Sequence, residues 1–185
     1  MAPTPAFAFW CVLFWLVVHR TVAHRWGDVV KADSSREQRW STVILIANGL
    51  LMGTLCFIAG WNGRPVPAVV FLAGNGLAAA GIVLVTWSRR ILGRHFSIHL
   101  QVDAEHKLVT AGPYGVVRHP IYSGDLLLYL GVPLLSGAWE ALVCPLIYLG
   151  LAVVRSRKEE VMLGDAYPDY AAYKERTSAL VPRVL

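Results

Sequence analysis

Between Val66 and Trp87 the chain carries no charged side chain. A helix over that stretch crosses a bilayer core of about 30 Å, which takes roughly 20 apolar residues. Four further apolar runs accompany it: Thr4 to His19, Thr42 to Ala59, Tyr122 to Leu135 and Trp139 to Val154. Lipid offers no partner to free backbone groups, so such runs must close as helices. Composition agrees, because only 16% of the residues are charged and 56% are hydrophobic. A soluble domain is about 25% charged, and one of 185 residues has too much surface for its volume to hide this apolar excess. The sequence therefore predicts an all-α integral membrane protein with about five transmembrane helices. Ser136-Gly137 separates the last two runs, which predicts a tight helical hairpin. Residues 1–93 hold the first three helices and their loops; residues 94–185 hold the hairpin, the polar segments and the tail.

The basic residues test that count. Arg20, Arg25, Lys31, Arg36 and Arg39 fall in the first loop. Arg89, Arg90, Arg94, Lys107 and Arg118 follow the third run, and the six from Arg155 to Arg183 follow the fifth. Only Arg64 lies elsewhere. Five spans put those three segments on one side, which the positive-inside rule makes cytoplasmic, with the N-terminus outside. The net charge of +5 then reads as attraction to an anionic membrane face, not to nucleic acid. No positive charge precedes the run Ala6 to Val18; a secretory signal has the reverse order, so a retained first helix is expected. Trp15, Trp26, Trp40, Trp61, Trp87 and Trp139 flank the runs as an aromatic belt would, and Trp10 does not. Cys11, Cys56 and Cys144 sit in apolar runs without CxxC spacing and read as small buried hydrophobes. Asn48 and Asn75 lie within spans, where such residues bond across helices or line a cavity.

Chemistry is expected in the polar stretch Arg94 to Tyr122 and in the tail after Val154. Gly112-Pro113 signals a turn, and His119-Pro120 stops the chain before the fourth span. Arg118, His119 and Tyr122 therefore crowd the entry to a membrane helix. Two readings fit that spacing. In one, Arg snorkels, Tyr anchors and Pro starts the helix; in the other, the cluster is a site. Arg155 and Glu159 stand four apart on one helix face, which by itself reads as an ordinary exposed ion pair. His95 and His99 share that spacing, but no third ligand or nearby carboxylate joins them, so no metal is expected. Asp125 lies one turn into a span, where an acid is costly and faces a cavity or an interface. It either lines the mouth of a site on the substrate side or snorkels to the interface.

The string G-P-Y-x-x-V-R-H-P-x-Y-x-G runs from Gly112 to Gly124. R-x-x-x-E-E-x-x-L follows at Arg155, Glu159, Glu160 and Leu163, and then an aromatic tail, from Tyr167, Tyr170 and Tyr173 to Leu180 and Pro182. Together these resemble the isoprenylcysteine carboxyl methyltransferase family and its broader relatives. The resemblance covers Arg94 to the C-terminus. The segment between Leu163 and Tyr170 is one residue shorter than the eukaryotic pattern. The resemblance implies a membrane methyltransferase with S-adenosyl-L-methionine in a cytoplasmic C-terminal pocket. Motif by motif, it implies cofactor contacts at Gln101, His106, Lys107, Leu108 and Val109, then at Tyr114, His119, Pro120, Ile121 and Tyr122. Glu159, chosen over Glu160 by register, is implied as a further contact, and Arg155 as the catalytic residue that meets the substrate.

Methyl transfer from a sulfonium is an in-line displacement, so the chief task is to hold donor and acceptor together. A terminal carboxylate, with a pKa of about 3.3–3.7, is already ionised and needs no base. A guanidinium orients it, which suits Arg155. The expected acceptor is thus the carboxylate of a lipophilic, isoprenylcysteine-like molecule whose chain stays in the bilayer. A phospholipid amine or a small thiol keeps the chemistry and changes the acceptor: the amine must first lose a proton, and the thiol reacts as its thiolate. A sterol-type reductase and a noncatalytic membrane factor are the remaining readings, although no GxGxxG follows a strand pattern. A lipophilic or lipidated substrate and membrane lipid are the expected partners, with no nucleic acid; the sequence sets no oligomeric state.

Overall fold

The computed structural model describes residues 36–92 and 108–182. The expected first span, Thr4 to His19, lies outside the described residues, as do His95, His99, Gln101, His106 and Lys107. Within the described residues five helices follow in order: α1 Arg36–Trp61, α2 Ala68–Leu92, α3 Pro120–Ser136, α4 Val143–Ala166 and α5 Tyr170–Arg176. Single 3-10 turns, Gly112–Gly115 and Trp139–Leu142, precede α3 and α4. Among the described residues there is no strand, only one isolated parallel bridge between Val117 and Ser178.

Among the described residues, three stretches are long and apolar enough to cross a membrane: Trp40–Trp61, Ala68–Leu92 and Trp139–Ala166. They cover the second, third and fifth expected spans. α3 covers the fourth with 17 residues, which at 1.5 Å per residue is about 25 Å. Local sequence sets its ends. Pro120 occupies its first turn, where the missing N–H costs nothing and φ is already helical. Gly137 closes it with φ 70°, the left-handed cap that glycine adopts without strain. α4 runs past Val154 to Ala166. The polar stretch from Arg155 to Glu160 continues the helix beyond its apolar part, which places Arg155 and Glu159 on one helix face as their spacing predicts.

α2 and α3 approach backbone to backbone. A Cβ added at Gly81 would stand 2.6 Å from the Gly124 carbonyl oxygen. One added at Gly131 would stand 2.7 Å from both the Ala78 nitrogen and the Gly74 carbonyl oxygen. Gly81 thus meets Gly124 while Gly74 meets Gly131, so the helices run antiparallel. Without a hydrophobic force between helices in lipid, such close approach through small residues is what holds them.

A second seam joins α1, α3 and α4 through Met52, Cys56, Tyr122, Tyr129, Val132, Cys144 and Tyr148. The two described cysteines are buried, at 1% exposure for Cys56 and 0% for Cys144, as their apolar surroundings predict; Cys11 lies outside the described residues. Asn48 bonds across helices, its Nδ2 donating to the Cys144 carbonyl at 3.0 Å. Asn75 instead donates to Phe71 of its own helix at 2.8 Å. Leu50, Val69, Leu72, Val83 and Leu146 point outward, a surface that suits lipid. Trp40, Trp61, Trp87 and Trp139 stand exposed near helix ends, in keeping with an aromatic belt. Arg64, the one basic residue at its end of the bundle among the described residues, is paired with Glu140 at 2.7 Å.

Candidate functional site

The site forms at the other end, where α2 finishes and α3 begins. Gly112 has φ 59°, and a Cβ there would stand 2.3 Å from Ile91 Cδ1. Only glycine lets this turn lie so close to the last turn of α2. Leu108 and Val109, both half-buried, lead into the turn, and Tyr114 is buried within it.

The chain then enters α3 against its own C-terminal tail. The Arg118 N–H donates to Ser178 O at 2.8 Å and the His119 N–H to Ala179 O at 3.0 Å. The Ser123 hydroxyl donates to Leu180 O at 2.5 Å. Residues 178–180 thus satisfy polar groups around the start of α3, where a helix lacks partners of its own. Tyr173 adds a further tie, its hydroxyl donating to Tyr114 O at 2.7 Å.

Arg118 does not snorkel. Its Nε donates to Glu160 Oε1 at 2.8 Å, with both side chains only 9% exposed. Its Nη1 reaches the carbonyls of Thr177 and Lys174. Lys174 Nζ engages the other Glu160 oxygen at 2.9 Å. Both oxygens of Glu160 are therefore taken by cations.

Glu159 has a different setting. The Tyr122 hydroxyl donates to its Oε1. His119 Nδ1 lies 3.4 Å from its Oε2, while His119 Nε2 lies 3.4 Å from Glu160 Oε1. That second contact is within reach of charge attraction but is not a hydrogen bond, since Nε2 has no hydrogen-bond partner among the described residues. The buried His119 ring also stacks on Tyr122, with centroids 5.7 Å apart and 24° between planes.

Tyr114 and Arg155 are the other expected contacts at this end. The Tyr114 hydroxyl is pushed well above the usual tyrosine range, first by burial and then by Tyr173 and Glu159, with Arg89 opposing. Arg155 lies one turn before Glu159 on the same face of α4. Its Nη1 is buried and lacks a hydrogen-bond partner among the described residues.

The structure thus gathers Tyr114, His119, Tyr122 and Glu159 from three sequence segments, with Arg155 adjacent along α4. Pro120 and Ile121 are buried in the first turn of α3, behind His119. Asp125 accepts a hydrogen bond from the Tyr148 hydroxyl at 3.1 Å, and Tyr148 stacks on Tyr129 with centroids 4.6 Å apart. Tyr148 lies eleven residues before Glu159, about 16 Å along α4, so the Asp125 pairing is deeper in the bundle. Sequence reasoning placed Arg89, Glu160, Tyr173 and Lys174 at this end but gave them no contact within the cluster; their partners lie far away in the sequence. A groove of about 590 Å³ opens on the far side of Glu160, between Arg157, Val161, Tyr167 and Lys174. None of the expected cofactor contacts among the described residues lines it.

A family model described as phospholipid methyltransferase matches residues 69–170. That range takes in nearly all of α2, the whole of α3 and α4, and the start of α5. The cobalt-zinc-cadmium resistance protein CzcN of Cupriavidus metallidurans is 30% identical over 152 residues, covering 78% of this chain and 62% of that protein. Methanethiol S-methyltransferase 1 of Bradyrhizobium diazoefficiens is 30% identical over 164 residues, covering 77% of this chain and 54% of that protein. The nickel-cobalt-cadmium resistance protein NccN of Alcaligenes xylosoxydans xylosoxydans is 26% identical over 151 residues, covering 78% and 63%. The chain thus spans between 54% and 63% of the length of these relatives.

Proposed function

The chain belongs to the phospholipid methyltransferase family, and from that membership we propose that it is a membrane-embedded methyltransferase using S-adenosyl-L-methionine. The observation that carries this reading is the meeting of Tyr122 and His119 with Glu159. Three residues expected, on two separate motifs, to contact one cofactor converge at one end of the bundle.

The groups present fit such a ligand. S-adenosyl-L-methionine, when bound, supplies an activated methyl on a sulfonium. The faces of Tyr114, Tyr122 and His119 suit a cation and an adenine ring. The Glu159 carboxylate is placed to accept from ribose or amino groups. Glu160 is already committed to Arg118 and Lys174, which favours Glu159 as the cofactor carboxylate. Leu108 and Val109 line the approach, and Gln101, His106 and Lys107 complete the set on this reading. The tail residues 178–180 limit access of water beside α3. The basic residues at this end favour a cytoplasmic site, with the N-terminus outside.

Arg155 is assigned to the acceptor. Its buried, unpartnered Nη1 would orient an anion against the methyl donor. One acceptor is the carboxylate of a lipophilic, isoprenylcysteine-like molecule. The relative named for methanethiol favours a second, a small thiol reacting as its thiolate. Both are anions when they react, so one guanidinium serves either. A phospholipid amine must instead shed a proton and gains nothing from Arg155. A lipid-borne acceptor would enter between helices, its chain remaining in the bilayer.

Calorimetric titration of the detergent-purified chain with S-adenosylmethionine, S-adenosylhomocysteine and NADPH tests the reading. Binding of the adenosyl ligands alone is expected. Binding of NADPH alone, or of nothing, would overturn it. Transfer of a radiolabelled methyl to isoprenylcysteine analogues, small thiols and phospholipid amines then identifies the acceptor.

A further inference from the structure

We propose that Glu160 is a positioning residue of the transfer site: fixed by Arg118 and Lys174, its carboxylate sets the His119 ring and so couples the C-terminal tail to that site. The inference rests on the methyltransferase reading, which gives Glu160 no role.

The chain of contacts is continuous. Lys174 sits on α5, and the carbonyls of Lys174 and Thr177 accept from the Arg118 guanidinium. The same guanidinium holds Glu160 Oε1 at 2.8 Å. That oxygen lies 3.4 Å from His119 Nε2. The ring's other nitrogen lies 3.4 Å from Glu159 Oε2, and its face rests on Tyr122. His119 is thus flanked by a carboxylate at each nitrogen and by an aromatic ring on one face. Glu159 is assigned to the cofactor. Glu160 is the flank that does not depend on ligand, because two cations keep it in place.

A packing role alone does not account for this arrangement. Arg118 and Glu160 are each 9% exposed, and the desolvation cost of a buried ion pair largely cancels its attraction. Apolar side chains would fill the space at least as well. What the charges provide is a fixed orientation, since Arg118 presents a rigid fork with one prong on Glu160 and another on the tail.

The test uses the whole chain in detergent micelles with ¹⁵N-labelled histidine. His119→Gln identifies the His119 ring signals. Glu160→Gln keeps the shape and removes the charge. In ligand-free protein it is expected to shift the His119 ring nitrogens; the melting temperature should fall as well, because Arg118 is left buried without its counter-charge, so the ring signals and the double variant carry the test. S-adenosylhomocysteine affinity should fall about tenfold, the scale of one charge-assisted contact. Adding Glu160→Gln to His119→Gln should then cost nothing further. Arg118→Lys, which keeps charge but loses the fork, should move the same ring signals. Unmoved ring signals, or affinity losses that add in the double variant, overturn the proposal. Should Glu160→Gln fail to fold, Lys174→Ala carries the same test, since it removes one of the two cations and leaves Arg118 in place. A wild-type chain that binds no adenosyl ligand defeats this inference together with the reading beneath it. Wild-type binding with additive losses defeats this inference alone.

Discussion

Tyr122, in the first turn of α3, donates its hydroxyl to Glu159 on α4, 37 residues further along the chain. The bond joins the two sequence motifs on which the functional reading depends. It also occurs where α4 has left its apolar stretch, so it ties the polar end of one helix to the start of another. Glu159 is thereby held beside His119 and is not free to swing into solvent.

Removing that hydroxyl gives the most direct test of the site. Tyr122→Phe keeps the ring that stacks on His119 and loses only the donor. A hydrogen bond to a charged group is worth about 1.5–3 kcal/mol. S-adenosylhomocysteine affinity should therefore fall by about ten- to a hundredfold, read by calorimetry. An unchanged affinity would remove Glu159 from the cofactor set.

Arg155 is assigned to the acceptor and not to the cofactor, because its buried Nη1 is unpartnered while Glu159 is engaged. Arg155→Ala should raise the acceptor KM about tenfold or more, the cost of a lost charge-assisted contact. S-adenosylhomocysteine affinity should stay at the wild-type value. Arg155→Lys should recover part of the loss, since a point charge replaces a planar fork. Loss of adenosyl binding with an unaffected acceptor KM would reverse the assignment.

The apolar runs placed α1, α2 and α4 well, because lipid-facing and core-facing positions are both apolar and the run length is the signal. The end of α4 was less legible. R-S-R-K-E-E after Val154 puts Arg155 and Glu159 on one helix face, but nothing local shows that Arg118, Tyr122 and Lys174 grip the two carboxylates. Arg118 fitted a snorkelling arginine equally well, since its partner Glu160 lies 42 residues away and no local pattern links them. The tail pairing at Ser178 rests on a single bridge, too short for any alternation to announce it. The α2–α3 seam was written in the spacing of Gly74 and Gly81 against Gly124 and Gly131, but run length and charge placement do not register glycine spacing.

That seam makes a prediction about stability. A Cβ at Gly131 would stand 2.7 Å from two backbone atoms of α2, which cannot rotate away. Gly131→Ala should destabilise the protein by about 1–3 kcal/mol, the usual cost of overpacking. Gly53→Ala and Gly150→Ala meet nothing within 4 Å and should be neutral or slightly stabilising, since alanine favours helix. Thermal unfolding in one detergent compares the three; equal midpoints would mean that the helices are not held at this distance.

Tyr173 should give the tail a signature at alkaline pH. Burial, the largest influence, pushes its hydroxyl up to about 12, with Arg118 opposing and Glu160 assisting. An unfolded tyrosine titrates near 10, so the folded value is the raised one. Its contribution is therefore complete below about pH 10 and is lost as pH climbs through about 12. The bond at stake is the one from Tyr173 to Tyr114 O, which fastens α5 to the turn ahead of α3. Tyr173→Phe removes it at every pH, at a cost of about 1 kcal/mol. Melting temperatures of wild type and variant should thus differ at neutral pH and converge as the wild-type hydroxyl ionises. A gap that stays constant through this window would show that Tyr173 does not titrate as part of the folded tail.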